Sequence, residues 1–201
     1  DHEAEIEFQV FVQFLFFDQW KRARKAAHQR GIQIIGDMPI YVAYDSADVW
    51  ANQELYKLKK DGTPTCVAGV PPDYFSETGQ LWGNPIYRYK KMKERGFKWW
   101  ISRVQSMLQL VDIIRLDHFR GFEAYWEVPW GEETAMNGKW VPGPKDSLFK
   151  ALNKKLGDLP IIAENLGVIT KPVEDLRERF NLPGMKVLQF AWGAASTRPP
   201  I

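Results

Sequence analysis

Four short apolar runs in this chain each end at a polar side chain, and each follows a segment with helical spacing. The runs lie in IQIIGDMPIYV, LVDIIRLDHF, LPIIAENLG and MKVLQFAW, and the polar residues at their ends are Asp37, Asp117, Glu164 and Gln189. Continuous apolar strands that alternate with helices are typical of parallel strands covered on the outside by helices. The pattern therefore predicts an α/β fold.

The helical segments have recognisable ends. Residues 6–30 carry apolar positions at helical spacing and finish in KAAHQRG, which predicts a helix ending near Arg30. Further helices are expected in GFKWWISRVQSMLQL, SLFKALNKKLG and KPVEDLRERF, one before each of the later strands.

Two parallel architectures fit this order, an open doubly wound sheet and a (β/α)8 TIM barrel. No glycine-rich phosphate turn follows any strand, and the polar strand ends would meet at one barrel mouth, where barrel enzymes keep their chemistry. A complete barrel takes about 250 residues, and the chain ends abruptly in STRPPI. We therefore expect residues 1–201 to be a partial catalytic barrel domain with its N- and C-terminal parts absent, and with a long inserted loop region between the first two visible strands.

Composition fits a neutral partner at least as well as a charged one. The chain has 27 basic and 25 acidic residues, a net charge of +2, and no long block of one sign, so neither nucleic acid nor a membrane surface is indicated as a partner. The most apolar stretch, FQVFVQFLFF, is about half the length of a membrane helix. Cys66, the single cysteine, excludes an internal disulfide. The cytoplasm is the expected location.

Asp117 and Glu164 form a candidate catalytic pair if they end neighbouring strands. Parallel strands lie about 4.8 Å apart, which suits the roughly 5 Å between the two carboxyl groups of a retaining glycosidase. Arg115 shares the face of Asp117 because side-chain direction repeats every two residues, and its charge would keep a nucleophilic aspartate ionised. Glu164 has no cationic neighbour in sequence, and an acid in an apolar setting suits proton donation.

Two other interpretations of these residues remain open. Arg115 and Asp117 could be a structural ion pair, with Glu164 a solvated strand end. Alternatively, hard oxygen and nitrogen ligands could hold a metal ion; the candidate ligands are Asp37, Asp117, His118 and Glu164.

Several long blocks of the chain resemble the 4-α-glucanotransferases of glycoside hydrolase family 77, in the α-amylase clan, which includes the amylomaltases and disproportionating enzymes. The blocks are QWKRARKAAHQRGIQIIGDMPIYVAYDSADVWA, AGVPPDYFSETGQLWGNPIY, RLDHFRGF, IIAENLGVIT and PGMKVLQFAW. They cover nearly the whole chain. The resemblance implies transfer of α-1,4-glucan segments from a glucan donor to a glucose or maltooligosaccharide acceptor, without a metal or other cofactor.

The resemblance also implies a role for individual residues. Asp117 would be the nucleophile, Glu164 the general acid and then base, and Arg115 the residue that orients the nucleophile. Substrate contacts would come from Asp37, Asp73, Tyr74, Phe75, Trp82 and His118. Tyr74, Phe75 and Trp82 would belong to a lid loop over the glucan. By strand alternation the ring of His118 is expected to point away from Asp117, so a structural role is about as well supported as direct contact.

The chain departs from the family pattern in two places. Asn165 stands where the family more often has aspartate, and the third catalytic acid would lie beyond Ile201. We therefore expect the polypeptide to be inactive or unable to fold alone. An α-glucan hydrolase and a non-catalytic glucan-binding protein are the alternative functions, and a plant protein of this kind would lie in the plastid stroma.

Overall fold

Helices and strands alternate along the computed structural model, which describes residues 2–73 and 76–189. In chain order the elements are α1 (Glu3–His28), β1 (Ile35–Pro39), α2 (Ala47–Ala51), a 3-10 helix (Gln53–Leu55), β2 (Cys66–Val70), β3 (Gln80–Pro85), α3 (Tyr89–Glu94), α4 (Lys98–Leu110), β4 (Ile113–Asp117), a 3-10 helix (Phe119–Phe122), β5 (Ala124–Pro129), β6 (Lys139–Pro142), α5 (Asp146–Leu156), β7 (Ile161–Ala163) and α6 (Lys171–Arg179). The fold is mixed α/β, and the four predicted helices, α1, α4, α5 and α6, are confirmed.

Three of the predicted strands form a parallel sheet in the order β1-β4-β7. The register pairs Asp37 with Arg115, and Leu116 with Ala163. Leu116 and Ala163 are buried on one face, whereas Arg115 and Asp117 belong to the opposite, partly exposed face. The alternation of side chains therefore places the charged residues of neighbouring strands together.

The predicted position of Asp37 at a strand end is wrong. β1 begins at Ile35 and continues to Pro39, so Asp37 is in its middle. Gly36, inside the strand, is a point of close approach: a Cβ there would lie 2.6 Å from Cγ1 of Val111. A glycine inside a strand is typical of such a contact.

The fourth predicted strand, in MKVLQFAW, is not found in the part of it that the structure describes. Residues 185–189, including Gln189, contain no strand. The backbone N–H of Met185 donates instead to the side chain of Asn165, at 2.8 Å, so it takes no part in a sheet ladder there. The remainder of the run lies outside the described residues.

The expected inserted loop region is also wrong, because it contains regular structure. Within the described ranges, strands β2, β3, β5 and β6 form an antiparallel sheet of order β3-β2-β5-β6. The β2–β5 ladder joins Cys66–Gly69 to Trp126–Pro129. Gly69 permits close pairing, since a Cβ there would lie 2.4 Å from the backbone oxygen of Gln80. In the sequence, β2 and β3 of this second sheet precede β4, and β5 and β6 follow it.

The core lies between the parallel sheet and its helices. α4 contacts β1, β4 and α5. Trp100 of α4, Phe149 of α5 and Leu176 of α6 are each at most 3% exposed. Burial of large apolar side chains on one face fixes the sheet and leaves its other face to carry charge. Within the described ranges, no helix combines the length and apolar character needed to cross a membrane.

Helix α1 is fixed to the rest of the fold through its C-terminal half. It ends at His28, close to the predicted end at Arg30, and Gly31 follows with φ of 70°. Arg24 donates to Asp112 Oδ1 from Nε at 3.1 Å and to the Val111 carbonyl at 2.9 Å. These bonds attach α1 to the segment that leads directly into β4.

Candidate active site

Arg115 joins two aspartates on the partly exposed face of the parallel sheet. Its Nη1 lies 2.6 Å from Oδ1 of Asp37, and its Nη2 lies 2.7 Å from Oδ1 of Asp117. The predicted Arg115–Asp117 pair is therefore confirmed as a contact. The planar guanidinium can hold two carboxylates at once, which an ammonium group cannot do with the same geometry. Asp37 lies next to the Arg115–Asp117 pair because the β1–β4 register places Asp37 opposite Arg115.

The guanidinium remains charged in this setting. Partial burial favours its neutral form, but hydrogen bonds to Asp37 and the charge of Asp117 outweigh the burial and raise the pKa of Arg115 above its ordinary value. The side chain of Arg115 is 28% exposed, and that of Asp117 is 38% exposed. A permanent positive charge thus faces Asp117 while the carboxylate is still open to a ligand.

Glu164 follows β7 at the level of Asp117. Leu116 pairs with Ala163, and the Glu164 N–H donates to the Leu116 carbonyl at 3.0 Å, so the next position along each strand brings Asp117 and Glu164 side by side. The expected apolar setting of Glu164 is wrong. Its Oε2 accepts from the backbone N–H of His118 at 2.9 Å, and its Oε1 accepts from that of Leu166 at 2.7 Å.

His118 does not follow strand alternation. Its backbone is left-handed, with φ of 53° and ψ of 50°, so the argument that its ring turns away from Asp117 does not apply. The ring makes an edge contact with Trp82, with 4.8 Å between centroids. Among the described residues its buried Nε2 has no hydrogen-bond partner. Burial, with a smaller contribution from Arg120, lowers the pKa of His118 to about 4, so its imidazole is neutral at pH 7.

Trp82, in the antiparallel sheet, contacts the segment that follows Asp117 in the parallel sheet. It belongs to β3, is 38% exposed, and donates from Nε1 to Oε1 of Gln80 at 3.1 Å. Its contact with His118 places an aromatic surface next to the residue that follows Asp117. An exposed indole of this kind can stack on the apolar face of a sugar ring, although aromatic side chains also pack locally.

Asp73 precedes β3 and is hydrogen-bonded to Ser76. Its backbone N–H donates to the Ser76 carbonyl at 2.9 Å, and its Oδ1 accepts from the Ser76 N–H at 2.9 Å. The two aromatic residues predicted beside it, Tyr74 and Phe75, lie outside the described residues. Their predicted contact with a glucan therefore stays a prediction.

Two features of the site were missed in the sequence. The backbone N–H groups of His118 and Leu166 hold Glu164, and backbone donors leave no signal in residue types. Gly121 packs against His118, since a Cβ there would lie 3.0 Å from Cδ2 of the ring. A glycine between bulky neighbours in HFRGF was the available signal for this close contact.

The site holds two carboxylates in different surroundings. Asp117 faces a fixed positive charge, whereas Glu164 is held by neutral backbone donors. Two carboxyl groups with different environments can divide the roles of nucleophile and proton donor in glycoside chemistry. In residues 2–73 and 76–189, no group of three or more histidine, cysteine, aspartate or glutamate side chains is placed to hold a metal ion.

Comparison with known proteins places the chain in one family. Residues 1–200 match glycoside hydrolase family 77, described as 4-alpha-glucanotransferase. The 4-alpha-glucanotransferase of Aquifex aeolicus (strain VF5) is 58% identical over 185 residues, which are 92% of this chain and 38% of that protein. A chloroplastic/amyloplastic 4-alpha-glucanotransferase of Oryza sativa subsp. japonica is 54% identical over 194 residues, 96% of this chain and 33% of that protein.

A solved structure is similar over most of the chain. The amylomaltase from Streptococcus agalactiae in complex with acarbose matches with a TM-score of 0.89 at 49% identity, covering 92% of this chain and 38% of that one. The chain therefore spans less than two fifths of the length of these relatives.

Proposed function

Because the chain belongs to glycoside hydrolase family 77, the 4-alpha-glucanotransferases, we propose that the whole protein transfers α-1,4-glucan segments between glucans by a retaining mechanism. The observation that carries this proposal is the ion pair of Arg115 with Asp117, beside Glu164 at the same level of the sheet. Family membership supplies the class of reaction, and this geometry supplies the residues.

Asp117 is the nucleophile in this proposal. Its carboxylate oxygen bonds to the anomeric carbon of the donor as the bond from that carbon to the glycosidic oxygen breaks. Arg115 supports the attack because its Nη2 holds the carboxylate of Asp117, and its second bond to Asp37 limits its rotation. Asp37, 62% exposed, can also contact sugar hydroxyl groups from the neighbouring strand.

Glu164 is the general acid and then the general base. It transfers its proton to the leaving glycosidic oxygen in the first step, and it takes the proton from the acceptor 4-hydroxyl in the second, when Asp117 is released as a carboxylate. The backbone N–H groups of His118 and Leu166 hold one oxygen each and fix the direction of the carboxyl group.

Transfer exceeds hydrolysis only when water is kept from the covalent intermediate. Trp82 supports an apolar cover, since it stands against His118 next to the nucleophile. In this proposal Tyr74 and Phe75 extend the cover over the glucan, and Asp73, which accepts from the Ser76 N–H, supplies a polar contact.

The parallel strands β1, β4 and β7 form part of a (β/α)8 barrel in this proposal. Their charged residues share one face, and the helices α4, α5 and α6 cover the opposite face, as barrel strands and helices do. A similar amylomaltase structure supports the same assignment. A barrel interior also explains why Asp37, Arg115 and Asp117 lie on a face without a helical cover.

The proposed substrates are an α-1,4-glucan donor and a glucose or maltooligosaccharide acceptor, with no cofactor. The similar amylomaltase was solved in complex with acarbose, which supports a glucan ligand for this chain. The proposed location is the cytoplasm, or the plastid stroma for a plant source, in keeping with the chloroplastic/amyloplastic name of the rice relative.

Incubation of the full-length protein with maltotriose tests this function. We expect glucose together with maltodextrins longer than the substrate, because each donor glucan passes to another glucan. Asp117→Asn is expected to lose activity by more than about 1,000-fold. The matched control Asp158→Asn, at an exposed loop position, is expected to stay within about two-fold of the parent protein. Release of glucose without longer products would contradict transfer and favour hydrolysis.

A further inference from the structure

Tyr44 and Trp130 form an exposed pair of aromatic side chains that the proposed mechanism does not use. Tyr44 lies between β1 and α2 and is 39% exposed, and Trp130 directly follows β5 and is 43% exposed. Their ring centroids are 5.9 Å apart, and their planes meet at 58°. Each ring therefore keeps part of its apolar surface open to solvent, where it can stack on the flat apolar face of a ligand.

Both residues of this pair are hydrogen-bonded to one short stretch of the chain, residues 62–65. The Tyr44 hydroxyl donates to the Gly62 carbonyl at 3.1 Å. The backbone N–H of Trp130 donates to the Thr65 carbonyl at 3.2 Å. Because the two rings already have fixed positions, a ligand that stacks on them pays little for ordering the side chains.

Tyr44 lies at the same edge of the parallel sheet as the nucleophile segment. It follows the carboxyl end of β1, and His118 follows the carboxyl end of β4, the neighbouring parallel strand. Carboxyl ends of parallel strands meet at one edge of a sheet, and in barrels that edge is the mouth where the chemistry takes place. A glucan bound at Asp117 can therefore extend toward Tyr44 along this edge.

The segment that leads to Tyr44 is bonded to the strand that carries Trp82. The Val42 carbonyl accepts from Nδ2 of Asn84, in β3, at 2.9 Å. The buried Tyr41 ring contacts the Trp82 ring, with 6.4 Å between centroids. The exposed rings of Trp82 and Tyr44 are thus connected through a segment that is hydrogen-bonded and partly buried.

The distance along the antiparallel sheet sets how long a ligand must be to reach both places. Gly69 pairs with Leu81, the residue before Trp82. Thr65, four residues before Gly69, is the partner of Trp130. At about 3.3 Å per residue, the two levels are about 13 Å apart. In maltotriose no more than two glucose units lie on one side of the cleaved bond, so we expect only a longer glucan to reach both.

We propose that Tyr44 and Trp130 form an outer site for α-1,4-glucans, which holds glucose units remote from the cleaved bond; this inference rests on the proposed function. Consecutive units of an α-1,4-glucan turn relative to one another, so two rings whose planes meet at 58° can each stack on one unit. A β-1,4-glucan is a flat ribbon and would need coplanar rings. The outer site therefore selects for α-linked chains and for length.

Equilibrium binding to the full-length Asp117→Asn protein tests the outer site without turnover. Titration calorimetry gives Kd for maltoheptaose, maltotriose and cellohexaose. Adding Trp130→Ala to this background is expected to weaken binding of maltoheptaose about 5- to 10-fold and that of maltotriose less than about 2-fold. Trp50→Ala is the matched control, because this indole on α2 is 79% exposed and is not part of the pair. Binding of cellohexaose that also weakens in Trp130→Ala would contradict the selection for α-linked chains.

Conservative variants separate stacking on a glucan from packing within the protein. Tyr44→Phe keeps the ring and loses the hydrogen bond to Gly62, whereas Tyr44→Ala loses both. We expect Tyr44→Phe and Trp130→Phe to bind maltoheptaose within about 3-fold of the parent background, and Tyr44→Ala to bind it about 5-fold more weakly. A Tyr44→Phe variant as weak as Tyr44→Ala would show that the pair acts through the fold of residues 62–65 and would overturn the outer site.

Kinetics of the full-length protein separate this inference from the proposed function. In Trp130→Ala, the ratio of kcat/KM for maltoheptaose to kcat/KM for maltotriose is expected to fall about 5- to 10-fold. An active parent protein whose ratio and Kd values do not change in this variant, or whose two donors lose equally, overturns the outer site alone. If Trp130→Ala does not fold, Tyr44→Ala carries the same test. A parent protein that transfers from neither donor refutes the proposed function, and one that also fails to bind maltoheptaose refutes the outer site with it.

Discussion

Gly121 occupies a space beside the nucleophile segment that has no room for a side chain. A Cβ there would lie 2.7 Å from Cδ1 of Ile40 and 3.0 Å from Cδ2 of His118. Carbon atoms in contact are ordinarily about 3.5–4.0 Å apart. Ile40 is 2% exposed, and the His118 ring is already in contact with Trp82. Gly121→Ala therefore forces a displacement of the buried Ile40 side chain, of the His118 ring, or of both.

The size of this effect follows from the two distances. Overpacking of this kind costs about 1–3 kcal/mol, so we expect Gly121→Ala to lower the free energy of unfolding by about 2 kcal/mol. Ile40→Val removes the Cδ1 atom that lies nearest the new Cβ, and alone it costs about 1 kcal/mol. Ile40→Val makes room for the new Cβ, so the two changes compensate each other. The decrease in the free energy of unfolding of the double variant is therefore expected to be about 1 kcal/mol smaller than the sum of the decreases of the two single variants.

Urea unfolding of the parent protein and the three variants measures this coupling. Gly121→Ala combined with Ile161→Val is the control, because Ile161 is also a buried isoleucine but is not among the atoms nearest to the new Cβ. In this control we expect the losses in the free energy of unfolding from Gly121→Ala and Ile161→Val to add. If the Gly121 and Ile40 changes also add, within about 0.5 kcal/mol, the packing described beside Asp117 is wrong.

Two further predictions concern charged groups. Arg115→Met removes a charge-assisted hydrogen bond to Asp117, so kcat/KM for maltotriose is expected to fall about 100-fold, and Arg115→Lys is expected to lose less. An Arg115→Met variant whose kcat/KM stays within about 3-fold of the parent protein would contradict the role of Arg115 in orienting the nucleophile. Asp112 accepts a backbone N–H and pairs with Arg24, which holds the pKa of Asp112 well below its usual range. The contribution of ionised Asp112 to the free energy of unfolding is complete above about pH 5 and is lost as the pH falls below about 4. Between about pH 7 and 3, Tm should therefore fall more steeply for the parent protein than for Asp112→Asn. Parallel curves of Tm against pH would refute this linkage.

The parts of the fold that depend on local pattern were predictable from the sequence. Helical spacing and end signals located α1, α4, α5 and α6 within a few residues. The two-residue repeat of a strand placed Arg115 and Asp117 on one face, and their ion pair follows from it. These inferences need only residues that are close in the chain, for which side-chain direction is set by the backbone period.

The parts that depend on distant residues were not predictable in the same way. Strand β2 pairs with β5 although β3, α3, α4 and β4 lie between them in the chain, and the short segments CVAGV and QLWGNP carry glycine or proline that resembles loop sequence. His118 adopts a left-handed backbone that ends strand alternation at one residue. Glu164 receives N–H groups from two backbone positions, one of them in another strand connection, and no residue type announces such donors.

Identification of the residue that carries the covalent glycosyl group tests the central claim most directly. The full-length Glu164→Gln variant is incubated with α-maltotriosyl fluoride, which can glycosylate the enzyme without an acid but leaves an intermediate that lacks its base for release. Proteolysis and mass spectrometry then locate the adduct. We expect a maltotriosyl ester on Asp117. An adduct on another residue, or consumption of the donor with no adduct, would contradict the assignment of Asp117 as the nucleophile.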